Sequence, residues 1–361
     1  MLVYQCSCTR FSWRLVTLFL FCGMTCETLL AQETRRSSAD LEKWFKKFPD
    51  ADSNKDGKLT ESEAKAFQKL RKEKSPVRNP DPSSNTKPTS TDVPYGEHPR
   101  QKLDLWLANS ERPTPILIYF HGGAFKGGDK SKIESRSTLQ ECLKAGISVI
   151  SANYRFSSDG PFPVPMHDGA RVVQFVRSKA SEWNIDGDRI ALGGSSAGAM
   201  MALWIALHDD LANPKADDPI ERNSTRVRCV ASHNGTASVE PDYIKKQTGV
   251  TELRGAIFQL FGVRTQAEFE ETAIQSLVRE ASPLTHVDSE DPPLFLTYAG
   301  NPEEAPFPED STLGVWIHHV SLGIPLKEKY DRLKIPYEFH YQANRPNANS
   351  EIEFLKRELF R

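Results

Sequence analysis

Arg189-Ile190-Ala191-Leu192-Gly193-Gly194-Ser195-Ser196-Ala197-Gly198-Ala199-Met200-Met201-Ala202-Leu203 is the stretch on which the fold turns. Arg189 to Gly193 is short, apolar and closed by glycine, which suits a buried strand. Gly194 to Gly198 is all small residues, and Ala199 to Leu207 is apolar enough to form a buried helix. Strand, tight turn and helix in that order match G-x-S-x-G, in which the central serine is lifted out of a sharp turn. Gly194 and Gly198 flank it because the turn brings those two backbones together. Ser196 is therefore the candidate nucleophile, and Ser195 is a neighbour whose side chain points elsewhere.

Outward from this stretch, Leu103 to Ala108, Pro115 to Phe120, Ile147 to Tyr154, Val227 to His233, Pro293 to Ala299 and Tyr337 to Tyr341 read as further strands, with helical patterns between most of them. A continuous apolar run such as Ile116-Leu117-Ile118-Tyr119-Phe120 fits a strand covered on both faces. Strand-helix alternation predicts a doubly wound α/β domain with a mainly parallel sheet. After Pro115 to Phe120 comes His121-Gly122-Gly123-Ala124-Phe125, the HGGG-type loop whose backbone N–H groups bind an oxyanion. Gly122, Gly123 and Ala197 are the expected donors, helped by the positive end of the helix after Ser196.

These motifs, with Tyr95-Gly96, Leu103-Asp104-Leu105-Trp106, Asn153-Tyr154-Arg155, His167-Asp168-Gly169-Ala170 and Asp186-Gly187-Asp188-Arg189-Ile190, resemble bacterial lipases and carboxylesterases of the α/β-hydrolase superfamily. The branch is hormone-sensitive-lipase-like and feruloyl-esterase-like, and the resemblance covers Val93 to Arg361. It implies acyl transfer: Ser196 attacks an ester carbonyl, a histidine takes its proton, and the acyl-enzyme is hydrolysed without a cofactor. The expected substrate is a small-molecule or polysaccharide-linked ester. The insert from Val239 to about Ser282 lies where the family keeps a cap.

The resemblance also marks two departures. Asn301 occupies the family's acid position, so Glu303, Glu304 or Asp310 of the same loop is expected to substitute. The loop after the last strand, Gln342 to Asn347, holds no histidine. His318 and His319 are the candidates for the base, because their segment follows a central strand at the edge where the nucleophile emerges. His340 reads as a sheet position, and His121 and His167 as structural. The alternative to an esterase is a fold without catalysis, kept as a binding module.

Ahead of this domain, residues 52 to 63 read Asp-Ser-Asn-Lys-Asp-Gly-Lys-Leu-Thr-Glu-Ser-Glu and match the calcium loop of an EF-hand. Asp52, Asn54 and Asp56 supply side-chain oxygens, Gly57 the sharp turn, Lys58 a carbonyl, Thr60 the often water-mediated position and Glu63 a bidentate carboxylate. Leu41, Trp44, Phe45 and Phe48 before the loop, with Phe67 and Leu70 after it, give the flanking helices, so the helix-loop-helix module is placed at 38–73. A single loop points to a docking role through a protein contact, with Ca²⁺ affinity on the order of 10⁻⁴ to 10⁻³ M. Residues 74–92, rich in Pro, Ser, Thr, Asn and Asp, are expected to be a linker to the main domain at 93–361.

Arg10 and Arg14, an apolar stretch from Leu15 to about Cys22, and small residues ending at Ala31 read as a secretory leader over 1–31. The stretch is too short for a bilayer, which takes about 20 apolar residues, so no stable membrane span is expected. The protein is expected to be exported, periplasmic or extracellular. Net charge is only -2, with charged residues at 26% and hydrophobic ones at 38%. That balance provides no basic field for nucleic acid. Cys142 and Cys229 stand apart from the four N-terminal cysteines and read as small buried side chains rather than a disulfide.

Overall fold

A computed structural model of the chain describes Leu41, Phe45 and residues 51–74, 86–251, 253–309, 311–347 and 349–361. The leader expected over 1–31, the linker between 75 and 85, Trp44, Phe48, the Leu70 side chain and Asp310 lie outside these residues. The chain divides into two units, Met1–Arg78 and Asn79–Arg361.

In the first unit, helix α1 (Glu61–Lys74) follows the acidic loop. It starts where Thr60 can cap it: Glu63 N–H donates to Thr60 Oγ1 at 3.3 Å, and Thr60 N–H donates to Glu63 Oε2 at 3.0 Å. This reciprocal pair satisfies two of the donors a helix start leaves open. Ala51, Leu59 and Ala64 form a small buried cluster on which Leu41, Phe45 and Phe67 pack. The aromatic face foreseen on either side of the loop thus has a local purpose, since it holds the loop's two ends together.

The second unit is an eight-stranded sheet: β1 (Ser90–Pro94), β2 (Lys102–Trp106), β3 (Thr114–Phe120), β4 (Ser148–Ala152), β5 (Ile185–Ser195), β6 (Cys229–His233), β7 (Leu294–Thr297) and β8 (Tyr337–His340). Their order is β1-β2-β4-β3-β5-β6-β7-β8. The first two junctions, β1 with β2 and β2 with β4, are antiparallel and the others parallel. The longer helices of this unit are α2 (Ser137–Lys144), α3 (Val164–Ser178), α4 (Ala197–Leu207), α5 (Pro241–Thr248), α6 (Thr272–Glu280), α7 (Ile324–Leu333) and α8 (Ser350–Leu359).

Strand β3 explains the layering. Every residue in it is buried, with Ile116, Ile118 and Phe120 on one face and Leu117 and Tyr119 on the other. A period of two with no polar face requires cover on both sides. Helices α3 and α4 supply it on the first face, through Met166, Val172, Val173 and Val176 and through Met201, Leu203 and Trp204. Helices α2 and α8 supply it on the other, through Leu139 and Cys142 and through Ile352, Phe354 and Leu355. Cys142 and Cys229 are both free and buried, and burial raises both thiol pKa values.

The sheet begins earlier than the sequence suggests. Residues 90–92 fall within the stretch read as linker, yet they start β1, and Thr86, also within that stretch, accepts from Trp106 Nε1 at 2.8 Å through its carbonyl. Polar residues are tolerated there because β1 is an edge strand. Asp92 N–H donates to the buried Asp104 carboxylate at 2.9 Å, and Lys130 Nζ bridges Asp92 and Asp104 at 3.0 and 2.7 Å.

Candidate active site and calcium loop

The turn between β5 and α4 holds Ser196 at φ 53 and ψ -118, a conformation that non-glycine residues rarely adopt. Such a residue costs on the order of 1–3 kcal/mol and persists only when its surroundings over-determine it. Here they do: all eleven residues of α4 are buried. Burying one leucine-sized side chain contributes about 1.5–3 kcal/mol, so three or four of them exceed the strain. A Cβ on Gly194 would collide with the Gly198 backbone, and one on Gly198 with the Phe120 carbonyl, so strand, turn and helix close up only with glycine at both places.

Ser196 Oγ lies 2.8 Å from His318 Nε2. The imidazole arrives from 122 residues further along the chain. After β7 the backbone continues to Ala299, which makes an isolated parallel bridge with His319. Ala299 N–H donates to the His318 carbonyl at 2.9 Å, Val320 N–H donates to the Ala299 carbonyl at 2.9 Å, and Thr236 Oγ1 donates to the Ile317 carbonyl at 3.3 Å. His318 therefore stands on a turn pinned to the end of the central sheet. Around it the chain forms a short turn of helix at Leu313–Trp316, a break containing both histidines, a 3-10 turn at Val320–Leu322, and then α7.

The break separates the two candidate bases. His319 is extended, at φ -73 and ψ 144, so its side chain leaves the backbone on the side away from His318. It is buried, with Nδ1 accepting from Ser321 N–H at 3.3 Å and Nε2 2.9 Å from the Asn301 carbonyl oxygen. The geometry brings His318 to the candidate nucleophile and leaves His319 in a separate hydrogen-bond network. Glu304 joins that second network: its Oε1 accepts from Asn301 N–H at 3.1 Å and Asn301 Nδ2 at 3.2 Å, and its Oε2 lies 4.0 Å from His319 Nε2. The 3-10 turn at Pro302–Glu304 folds the carboxylate back on its own loop, so Glu304 and Glu303 do not reach His318. Among the described residues no carboxylate contacts His318, and its Nδ1 meets no protein acceptor. Burial lowers the pKa of His318.

A cavity of about 520 Å³ opens over this pair. Ser196, His318, Gly123 and Ala197 line it with Met200, Val239, Ile257, Leu260, Leu313 and Ile317. The wall is largely apolar and part of it comes from the insert. Among the described residues the N–H groups of Gly123 and Ala197 donate to no protein acceptor, which leaves both free for an oxygen in the cavity. Gly122 does not line the cavity. It lies behind the nucleophile, where an added Cβ would come within 2.7 Å of the Ser195 carbonyl oxygen and 3.3 Å of Ser196 Cβ. Ala124 and Phe125 follow at φ 54 and 56, two further strained residues at the same place.

His121 is buried beneath this loop, with Nδ1 2.9 Å from the Gly122 carbonyl oxygen and its ring stacked on Tyr154 at 4.5 Å. Burial lowers its pKa to about 4, so it is neutral and can donate from Nδ1. His167 is exposed beside Asp168, which accepts from Arg155 and Gln101 Nε2. His340 closes β8. Sequence patterns did not reveal Asn234 and Thr236, which also line the cavity. The available signal was Asn234-Gly235 directly after β6, where Asn234 takes a left-handed φ of 59.

Residues 52–63, the candidate calcium loop, fold into a compact turn held by their own side chains. Asp52 Oδ2 accepts from Gly57 N–H at 2.8 Å, Asp56 Oδ1 from Lys58 N–H at 2.8 Å, and Asn54 Oδ1 from Asp56 N–H at 2.9 Å. Gly57 makes the turn at φ 79. Glu63 folds back over the loop, accepting from Ser53 Oγ at 3.1 Å and Thr60 Oγ1 at 2.6 Å; chiefly through Thr60, these bonds lower its pKa to about 2. Among the described residues, Asp52 Oδ1 is buried without a hydrogen-bond partner, a hard oxygen left for another ligand. Hard oxygen donors in this arrangement fit Ca²⁺.

The model of the BD-FAE family matches residues 103–313. The chain is similar to the "Probable carboxylic ester hydrolase LipM" of Mycobacterium tuberculosis, 26% identical over 219 residues that make up 60% of this chain and 48% of that protein. It is also similar to the esterase LipQ of the same organism, 28% identical over 225 residues, 61% of this chain and 50% of LipQ. The chain thus spans about half the length of these curated relatives. Among solved structures, a truncated carbohydrate esterase from gut microbiota superposes with a TM-score of 0.61 at 18% identity, over 77% of this chain and 99% of that one. That likeness establishes the α/β-hydrolase fold.

Proposed function

The chain belongs to the BD-FAE family, and from that premise we propose that it is an exported serine-dependent hydrolase of carboxylic esters in which His318 is the base. The observation that carries the reading is the 2.8 Å contact between Ser196 Oγ and His318 Nε2 on the floor of an apolar cavity. Ser196 Oγ attacks the ester carbonyl as its proton passes to His318 Nε2. The carbonyl oxygen becomes an oxyanion opposite the N–H groups of Gly123 and Ala197, with the start of α4 adding its positive end. His318 then returns the proton to the leaving alcohol. Water, deprotonated by the same imidazole, releases the acid and restores Ser196.

Among the described residues no carboxylate supports the imidazolium in this scheme, which makes the described site a dyad. In a serine protease, replacing the triad carboxylate by an amide lowers kcat by about 10⁴, so a modest turnover is expected here. The apolar cavity would take the acyl group, and its open side a small or polysaccharide-linked alcohol. Purified full chain, incubated with a fluorophosphonate and with short p-nitrophenyl esters, is expected to label and hydrolyse, and Ser196→Ala to do neither. A wild-type protein that does neither rejects the esterase. That outcome favours the second reading, a fold retained for binding, for which the absence of a carboxylate at His318 among the described residues is the supporting feature.

Calcium belongs to the accessory module in this reading. Asp52, Asn54, Asp56, the Lys58 carbonyl, Thr60 and Glu63 would hold it, and it would fix the angle between the two helices without entering the chemistry. The module would then be available to dock on a partner protein. Calorimetry with Ca²⁺ is expected to give binding heat that Glu63→Gln removes, while ester hydrolysis by the variant is unchanged; equal heats from both proteins reject the metal. Export predicts a mature N-terminus at Gln32, to be read by N-terminal sequencing of protein recovered outside the cytoplasm.

A further inference from the structure

Away from the cavity, at the far end of the helix that carries the nucleophile, two histidines and a carboxylate converge. His208 caps the C-terminus of α4, Glu280 is the last residue of α6, and His286 ends the short helix Pro283–His286. One ligand atom from each lies within 4.8 Å of the others. His208 Nε2 is 2.9 Å from Glu280 Oε1, and His286 Nε2 is 3.9 Å from that same oxygen. The two imidazole rings lie 4.5 Å apart, centre to centre. Metal–ligand bonds of about 2.1 Å at tetrahedral angles set donor atoms roughly 3.4 Å apart, so the separations from Glu280 bracket the required value.

We propose that His208, Glu280 and His286 bind a divalent transition-metal ion of the zinc class. Two imidazoles with one carboxylate form a donor set suited to zinc and its neighbours and poorly suited to calcium, which takes oxygen ligands throughout. The surroundings also orient the first ligand. His208 Nδ1 lies 2.9 Å from the Asp209 carbonyl oxygen, so Nδ1 carries the proton and donates, the outer contact that ligating histidines make almost without exception. That tautomer leaves the Nε2 lone pair facing a carboxylate lone pair at 2.9 Å. Two acceptors at that distance require either a proton or a metal ion between them.

The field there has the right sign. The C-terminal ends of α4 and α6 both meet at this place, and helix C-termini favour cations. The main-chain carbonyl of Glu280 accepts from Trp204 Nε1 at 2.8 Å, which anchors Glu280 against the nucleophile helix, and it lies 2.7 Å from His286 Nε2, a hydrogen bond whose proton an ion bound at that nitrogen must displace. A bound ion would clamp the end of the insert, which lines the acyl cavity, to the far end of the helix whose other end bears Ser196. Its effect would be on the stability of that junction rather than on chemistry at the serine.

The test uses the full chain, stripped of metal with chelator and saturated with Ca²⁺ so that the acidic loop does not compete. Titration with Co²⁺ is expected to produce the visible ligand-field bands of a tetrahedral nitrogen-ligated ion at one equivalent. Zn²⁺ is expected to displace it and raise the midpoint of thermal unfolding by a few degrees. His208→Gln and His286→Gln, each checked for folding by far-UV circular dichroism, are expected to lose both signals. A wild-type protein without the bands, or bands and thermal shift that persist in both variants, overturns the proposal.

Discussion

Ser196 and His318 meet at 2.8 Å, yet the chain builds the two sides of that contact differently. The nucleophile side is local and over-determined. A strand ending, a five-residue turn and a buried helix fix Ser196, glycines permit the close approach, and the neighbouring loop brings in the oxyanion donors. The base side is assembled at a distance. His318 has no motif around it and is held by backbone hydrogen bonds to the end of β7, while Asn301, at the position where the resemblance leads one to expect an acid, bonds to Glu304 instead. Rigidity on one side lets the other vary: once Ser196 is presented at a fixed point, any element passing the C-terminal edge of the sheet can supply an imidazole.

The largest effect expected from this contrast separates the adjacent histidines. His318→Ala should lower kcat for a short p-nitrophenyl ester by about 10³ or more with little change in KM, because it removes proton transfer and no substrate contact of consequence. His319→Ala should leave kcat within about tenfold but lower the unfolding midpoint, since it strips partners from buried groups at a cost of about 1–3 kcal/mol. Comparable kcat losses in both variants would mean that the two residues act as one unit and would dissolve the distinction.

On the rigid side, Gly122→Ala tests over-determination. A methyl there needs space within 2.7 Å of the Ser195 carbonyl oxygen, so either the oxyanion loop or the nucleophile turn must shift. Displacement approaching 1 Å costs roughly 10² in rate. Steady-state kinetics should show this mainly in kcat, and a variant with wild-type kcat would show that the turn is softer than its packing implies.

The same contrast separates what sequence could and could not reveal. The placing of Ser196, Gly123 and Ala197 around one cavity and the compact turn of the loop from Asp52 to Glu63 were legible because each depends on neighbours within a few positions, where spacing dictates geometry. The α/β sheet was legible from apolar runs, but β1 was not: Ser90-Thr91-Asp92-Val93-Pro94 is polar and earns its place through Asp104 and Lys130, which lie elsewhere in the chain. The choice between His318 and His319 depends on a break between two helices and a bridge to Ala299, neither of which leaves a periodic trace. Glu304 was a reasonable substitute acid by position, and only the sense in which Pro302–Glu304 turns removes it.

A smaller effect should appear in the pH profile. His318 must be neutral to accept the serine proton, and burial lowers its pKa below the ordinary 6.5. The base form therefore persists into more acidic solution than a free imidazole would allow. The acidic limb of kcat/KM should have its midpoint below pH 6.5, with rate falling about tenfold per unit beneath it. A midpoint above 6.5 would require a negative charge close to the imidazole, and hence a carboxylate partner.

The smallest expected effect comes from Asn301→Asp, the substitution that restores the family's acid. If the acid position were simply missing its charge, the change should raise kcat by orders of magnitude, the reverse of the loss seen when a triad carboxylate becomes an amide. The local geometry predicts otherwise. Asn301 donates from Nδ2 to Glu304 Oε1 at 3.2 Å and offers its main-chain carbonyl to His319, so its side chain is turned from His318. An aspartate there would face the Glu304 carboxylate, losing a hydrogen bond and gaining a like charge. Turnover should change by less than about threefold while the unfolding midpoint falls. A gain above about tenfold would mean that the loop can swing its acid to His318, and that the base side retains the full triad geometry with only the charge removed.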